Sequence, residues 1–167
     1  MEGIVSVVDL GAGSGALSLA VATEAENARV IAVEKSPEAI FWLKKNVSRI
    51  DEKVRIVEGD VSDVLIDVKC DLVIANPPYI PDDQVLPREV SGFEPHIALF
   101  GGPTGIEIPR QFIAAAARLL KSGGVLVIEH TEEQGLVIEG ELALDFENVV
   151  LHHDLNDRPR WSSAVRR

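Results

Sequence analysis

Short apolar, β-branched runs alternate along this chain with stretches whose apolar residues recur at helical spacing. Ile4 to Leu10 is the first such run; it ends at glycine, as a buried parallel strand does. Leu17, Ala20 and Val21 then fall at helical spacing, and Arg29 to Glu34 reads as a second strand. Ser36-Pro37 marks a helix start, with Ser at the N-cap and Pro at the first helical position. Ile40, Leu43 and Val47 give that helix one apolar face. Val54 to Glu58 and Asp71 to Ala75 read as strands three and four, with a short connection between them. From Ile80 to Pro103 neither period is present, and a loop of that length inside a domain is usually functional. Phe112, Ile113, Ala116, Leu119 and Leu120 predict a helix stopped by Ser122-Gly123-Gly124. Val125 to Glu129 is a fifth strand, and Asn148–His153 and Trp161–Val165 are expected to pair antiparallel. The whole is expected to form one domain, residues 1–167: a doubly wound α/β sheet, mostly parallel, with right-handed crossovers and an antiparallel C-terminal strand.

Composition narrows the partners. The 167 residues are 46% hydrophobic and carry a net charge of −11. A polyphosphate is held chiefly by Lys and Arg, so this balance opposes binding to duplex DNA, despite Arg158, Arg160, Arg166 and Arg167 near the C-terminus. No apolar run approaches the roughly 20 residues that span a bilayer, and Met1 to Val5 lacks the layout of a signal peptide. Cys70 is the only cysteine, so no internal disulfide forms and a cytoplasmic setting is expected.

Ligands of such sheets lie beyond the carboxyl ends of the strands. Asp9-Leu10-Gly11-Ala12-Gly13-Ser14-Gly15 occupies that place after strand one. Its glycines permit a sharp turn and close approach of a ligand. Glu34, ending strand two, is placed to accept from ribose hydroxyls. Asp60, followed by Val61 on the same rim, either accepts from an adenine amine or caps the next segment. A nucleoside-bearing cofactor fits these residues. Gly11, Gly13 and Ala16 also satisfy a dinucleotide fingerprint. A dinucleotide needs phosphate at the helix start; S-adenosylmethionine would put its methionine part there, with Asp9 attracting the amino group.

Asn76-Pro77-Pro78-Tyr79 follows strand four directly. Consecutive prolines fix φ and cannot donate backbone hydrogen bonds, which leaves carbonyls available to a substrate. The Asn76 oxygen can accept from an NH2 group and Tyr79 offers a flat wall. That suits a planar nitrogen nucleophile, an amide or an exocyclic base amine, held for in-line attack on a sulfonium methyl.

Taken with Glu34-Lys35-Ser36-Pro37, Gly59-Asp60, Glu89-Val90, Glu94-Pro95, Ala98-Leu99, Gly101-Gly102 and Asp154-Leu155, these motifs resemble the bacterial release factor glutamine methyltransferases, the HemK/PrmC family. The resemblance runs over essentially the whole chain. The Asn-Pro-Pro-Tyr motif is shared with adenine-N6 DNA methyltransferases; the stretch from Glu89 to Gly105 is more particular to the glutamine enzymes. It implies a class I S-adenosylmethionine-dependent, Rossmann-like fold that methylates the glutamine of the Gly-Gly-Gln motif in class 1 peptide release factors. Carried over, Asn76 and the Pro77 carbonyl hold the glutamine amide, with Tyr79 beside it. Asp9, Gly11, Gly13, Gly15, Glu34, Asp60, Val61 and Asn76 line the cofactor, and no metal is needed. It further implies a catalytic domain without the family's N-terminal helical docking domain. Thr104 stands where the family carries an acid, and Pro109 where a Tyr precedes Arg110; both departures fall at a loop–helix junction.

Overall fold

The computed structural model describes residues 3–51 and 53–167; Met1 and Glu2, part of the opening segment weighed above, lie outside the described residues. The first strand, β1 (Val5–Leu10), is followed by α1 (Ala16–Glu24), β2 (Ala28–Glu34) and α2 (Pro37–Ile50). Then come β3 (Arg55–Glu58), β4 (Cys70–Ala75) and two single-turn helices, α3 (Arg88–Ser91) and α4 (His96–Leu99). The chain continues through α5 (Glu107–Leu119), β5 (Leu120–Glu129), α6 (Gly135–Leu142), β6 (Phe146–His153) and β7 (Pro159–Arg166). The strands form one sheet in the order β3-β2-β1-β4-β5-β7-β6. The five on the β3 side are parallel, and β7 runs antiparallel to both β5 and β6. This is the doubly wound architecture expected from the alternating pattern.

Side chains alternate across a strand, so β1 feeds two cores. Val7 joins Leu19 of α1 and Leu43 and Val47 of α2 on one face. Val8 and Leu10 join Phe112, Ala116 and Leu119 of α5, with Ile138 and Leu142 of α6, on the other. Such near-continuous burial is why the central strands read as unbroken apolar runs. At the head of α2, Ser36 accepts from the Ala39 amide and Pro37 takes the first position, as its sequence predicts.

Three expectations need correction. The buried face of α1 is Ser18 and Leu19, whereas Leu17 and Ala20 are exposed. That helix is apolar nearly all round, so its periodicity carried no phase. Leu120, read as the last apolar residue of the α5 face, opens β5 instead, opposite Cys70. A buried leucine satisfies either pattern, and the strand pairing decides. The stretch from Ile80 to Pro103 contains α3 and α4 and a parallel bridge between Ile80 and Phe100. The two family departures are accommodated. Pro109 sits in the first turn of α5, where a backbone N–H has no helical partner. Thr104 donates from both its amide and its hydroxyl to the Glu107 carboxylate, which also takes the Ile106 amide. Among the described residues no helix is long and apolar enough to cross a membrane.

Leu43 is fully buried between α2, β1 and the glycine loop. Leu43→Ala is expected to lower stability to urea unfolding by about 2–5 kcal/mol. A loss well under that range would mean the α2 face collapses to fill the space.

Candidate active site

Strand order reverses between β1 and β4, and a crevice opens at that point in such sheets. Leu10 pairs with Ala75, so Gly11 and Asn76 leave the sheet side by side. Leu10 also pairs with Val33, which brings Glu34 alongside. The resulting cleft has a volume of about 720 Å3, inside the roughly 300–1,000 Å3 of small-ligand sites. Asp9, Gly11, Gly13, Glu34, Asp60, Val61, Asn76, Pro77 and Tyr79 all line it.

Gly15 does not line it. It is the N-cap of α1 at φ 92°, and a Cβ there would lie 2.6 Å from Leu43 Cδ1. Its side-chain-free, left-handed backbone is needed to seat α1 on α2; the motif could not distinguish that from ligand contact. Gly13, also left-handed, has open space where a Cβ would stand.

The carboxylates differ in their surroundings. Asp9 is 1% exposed and accepts from the Ser18 hydroxyl at 2.6 Å. Burial pushes its pKa up to about 6; the bonds from Ser18 oppose that and neighbouring Glu34 reinforces it. Ser18 had no signal in the apolar pattern, because a serine beside leucines reads as an exposed position. Glu34 gathers three backbone amides: Gly13 on one oxygen, Lys35 and Ser36 on the other, each at 2.8 Å. It therefore knots the loop after β1 to the loop after β2. Asp60 accepts from the Ser62 amide at 3.0 Å and pairs with Lys35 at 3.1 Å. These bonds hold its pKa below the usual carboxylate range, the Ser62 amide foremost. Asp60 thus caps its own turn while lining the cleft.

On the opposite side, Asn76 is exposed, and its carboxamide has no hydrogen-bond partner among the described residues. Pro77 is buried beside it. Tyr79 donates its hydroxyl to Glu129 at the end of β5, at 2.9 Å. Burial, and then the Glu129 charge, push its pKa up to about 12. Phe93, Ile97 and Leu99 close this side above the prolines, and Trp42 of α2 stands on the facing rim. Trp42 is 51% exposed, edge-on to Phe41 with the Lys45 amine over its ring. Trp161 lies elsewhere, stacked on His152 at 3.7 Å.

The charged residues around the cleft are Asp9, Glu34, Glu38, Asp60 and Glu94, against Lys35 alone. A pyrophosphate beside Asp9 and Glu34 would be repelled, so the dinucleotide alternative does not fit. The arginines near the C-terminus do not form one basic track: Arg160 pairs with Asp154 at the start of β7 and Arg166 with Asp145 at its end.

A family model described as the methyltransferase small domain matches residues 3–91. The chain belongs to the methyltransferase small domain family. A curated protein named release factor glutamine methyltransferase from Mycolicibacterium smegmatis is 40% identical to it over 164 residues, covering 96% of this chain and 58% of that protein. One of the same name from Streptomyces coelicolor is 38% identical over 166 residues, covering 95% and 58%. The methyltransferase domain thus spans less than two thirds of the length of these relatives. Its fold is shared with an SAM-dependent O-methyltransferase from Thermotoga maritima at a TM-score of 0.72 and 16% identity, covering 99% of this chain and 60% of that one.

Asp9 makes a prediction with an unusual sign. Its folded pKa, about 6, lies above the ordinary carboxylate value, so the folded state holds that proton more tightly than the unfolded chain. Its contribution to stability falls as pH rises from about 4 to about 6 and is level above. Asp9→Asn is expected to be more stable than the parent at pH 7.5, by on the order of 1–3 kcal/mol, with the advantage vanishing near pH 4. Urea unfolding at several pH values reads this. An Asp9→Asn variant less stable at pH 7.5 would mean the carboxylate has a cationic partner in the fold.

Proposed function

We propose that this domain, residues 1–167 acting as one catalytic unit, transfers the methyl group of S-adenosylmethionine to the side-chain amide nitrogen of the glutamine in the Gly-Gly-Gln motif of class 1 peptide release factors. The observation that carries the reading is the Asn76 carboxamide, exposed and without a hydrogen-bond partner among the described residues, beside Pro77 and next to the glycine loop. The relatives named release factor glutamine methyltransferases support the choice of acceptor.

The cleft fits the cofactor. A buried carboxylate lacking a cationic partner, Asp9, suits the amino group of an amino-acid-bearing nucleoside. The Gly11 and Gly13 backbone would border that end, Glu34 would accept from ribose hydroxyls, and Asp60 and Val61 would flank adenine. When bound, the cofactor supplies a methyl group on a positively charged sulfur. Asn76 and the Pro77 carbonyl would accept the two hydrogens of the substrate amide, turning its nitrogen lone pair toward the cofactor side. Alignment is the main demand, because an amide nitrogen is a weak nucleophile and holding it in line removes the orientational part of the barrier. As the new nitrogen–carbon bond forms, the bond from the methyl to sulfur would break and leave a neutral thioether, and one amide proton would pass to the solvent that reaches exposed Asn76. The Tyr79 ring, its hydroxyl tied to Glu129, would wall the planar amide. A nucleic acid base amine could use the same acceptors, but the acidic cleft opposes a phosphate backbone.

The test is transfer of labelled methyl from S-adenosylmethionine to a purified class 1 release factor. Its Gly-Gly-Gln glutamine-to-alanine variant serves as control. Label on the first and none on the second is expected; equal label on both would sink the glutamine assignment. Asn76→Ala should lose roughly a hundredfold or more in kcat, with cofactor Kd within a few-fold. Asp9→Asn should weaken cofactor binding while leaving the fold intact. An active Asn76→Ala enzyme would remove that residue from the acceptor site.

A further inference from the structure

Behind the acceptor side of the cleft stands a buried carboxamide. Gln134 closes a 3-10 turn, Glu132–Gln134, between β5 and α6, and is 8% exposed. Its amide nitrogen donates to the Tyr79 carbonyl at 2.8 Å and the Gly105 carbonyl at 3.2 Å. Its amide oxygen accepts from the Thr131 backbone at 3.1 Å, half of a capping box. A primary carboxamide has two N–H donors, and both are engaged.

We propose that Gln134 is a positioning residue for methyl transfer: by clasping the Tyr79 and Gly105 carbonyls together it holds the Asn76-Pro77-Pro78-Tyr79 backbone in register with the cofactor side. This rests on reading that segment as the acceptor site. Pro77 and Pro78 have no N–H, so no ladder can anchor the segment from within. The next backbone anchors, the Ile80 amide to the Leu99 carbonyl at 3.0 Å and the Gly101 amide to the Ile80 carbonyl at 2.8 Å, tie it to the last residue of α4 and the turn that follows. Gln134 ties both pieces to the turn after β5, beside the bond from the Tyr79 hydroxyl to Glu129. The joint is tight: a Cβ at Gly105 would run into the Tyr79 carbonyl and the Gln134 amide. Without the carboxamide two buried carbonyls lose their donor, and the cheapest relief is for the loops to part.

Two substitutions separate clasping from capping. Gln134→Glu keeps an oxygen for the Thr131 amide and remains a good capping-box residue, but has no NH2 to give. Gln134→Met loses both functions. Tyr79 is the only tyrosine in the chain, so 13C-labelled tyrosine gives one ring signal that reports on this joint without any acceptor. In both variants that signal is expected to shift, kcat for the release factor to fall at least roughly tenfold, and cofactor Kd to stay within about twofold. Gln134→Glu with a parental ring signal and kcat would overturn the proposal and leave a helix cap. Cofactor affinity and kcat falling together would overturn it too, as general loosening. If the parent chain methylates no release factor but the ring signal still moves, the acceptor reading fails and the clasp stands.

Discussion

Parallel pairing of β1 with β4, with Leu10 opposite Ala75, sets the distances in this protein. It joins the two halves of the winding where strand order reverses, so the glycine loop and the Asn76 segment leave the sheet at one level. The register cannot drift, because β1 is buried on both faces: Val7 belongs to one core, Val8 and Leu10 to the other. A one-residue slip would exchange the faces and turn Asp9 away from Ser18. Everything that makes the cleft a site therefore follows from packing well below it.

The cofactor side is held by charge as well as by shape. Glu34 ties three amides from two loops, which gives the left-handed turn after β1 a fixed outer wall. Asp9 does the opposite. It is a carboxylate withdrawn from water and held by bonds from Ser18, and it opposes folding in its ionised form. On the proposed reading, that cost would be relieved when the cationic amino group of the cofactor arrives. Across the rest of the cleft the acids outnumber the one lysine, which itself pairs with Asp60.

Most of this fold was legible because it is repetitive. Buried parallel strands write themselves as apolar runs, and α2 carries both a start signal and a clean face. The Asn-Pro-Pro-Tyr segment stood out by its context: a proline turn after a strand is common, and its place after strand four of a glycine-loop sheet is what makes it specific. The phase of α1 was not legible, since nearly every residue in it is apolar and the one that decides, Ser18, is polar and turned inward by Asp9. Helix α6 carries two glycines and an apolar run without period, so only the Thr131–Gln134 capping box before it marks a start. Gly15 could not be told from Gly13, because a glycine needed for packing and one that faces open space look alike in sequence. Gln134 was invisible for a further reason: its partners are backbone carbonyls 55 and 29 residues away, which no local pattern encodes.

The same prolines that free carbonyls for a substrate remove the donors that would hold their own backbone. Support must come from outside, and it comes twice from the end of β5. Glu129 takes the Tyr79 hydroxyl and Gln134, five residues on, takes the Tyr79 carbonyl. The acceptor side is thus mounted on β5, whereas the cofactor side is mounted on β1 and β2 through Glu34 and Ser18. Between them run the β1–β4 and β4–β5 ladders. Two mountings on separate strands can be disturbed one at a time, so on the proposed reading cofactor affinity and the alignment of the acceptor would be separable. On that reading, a carboxylate at the foot of the glycine loop would govern the first, and a carboxamide acting through a tyrosine backbone the second.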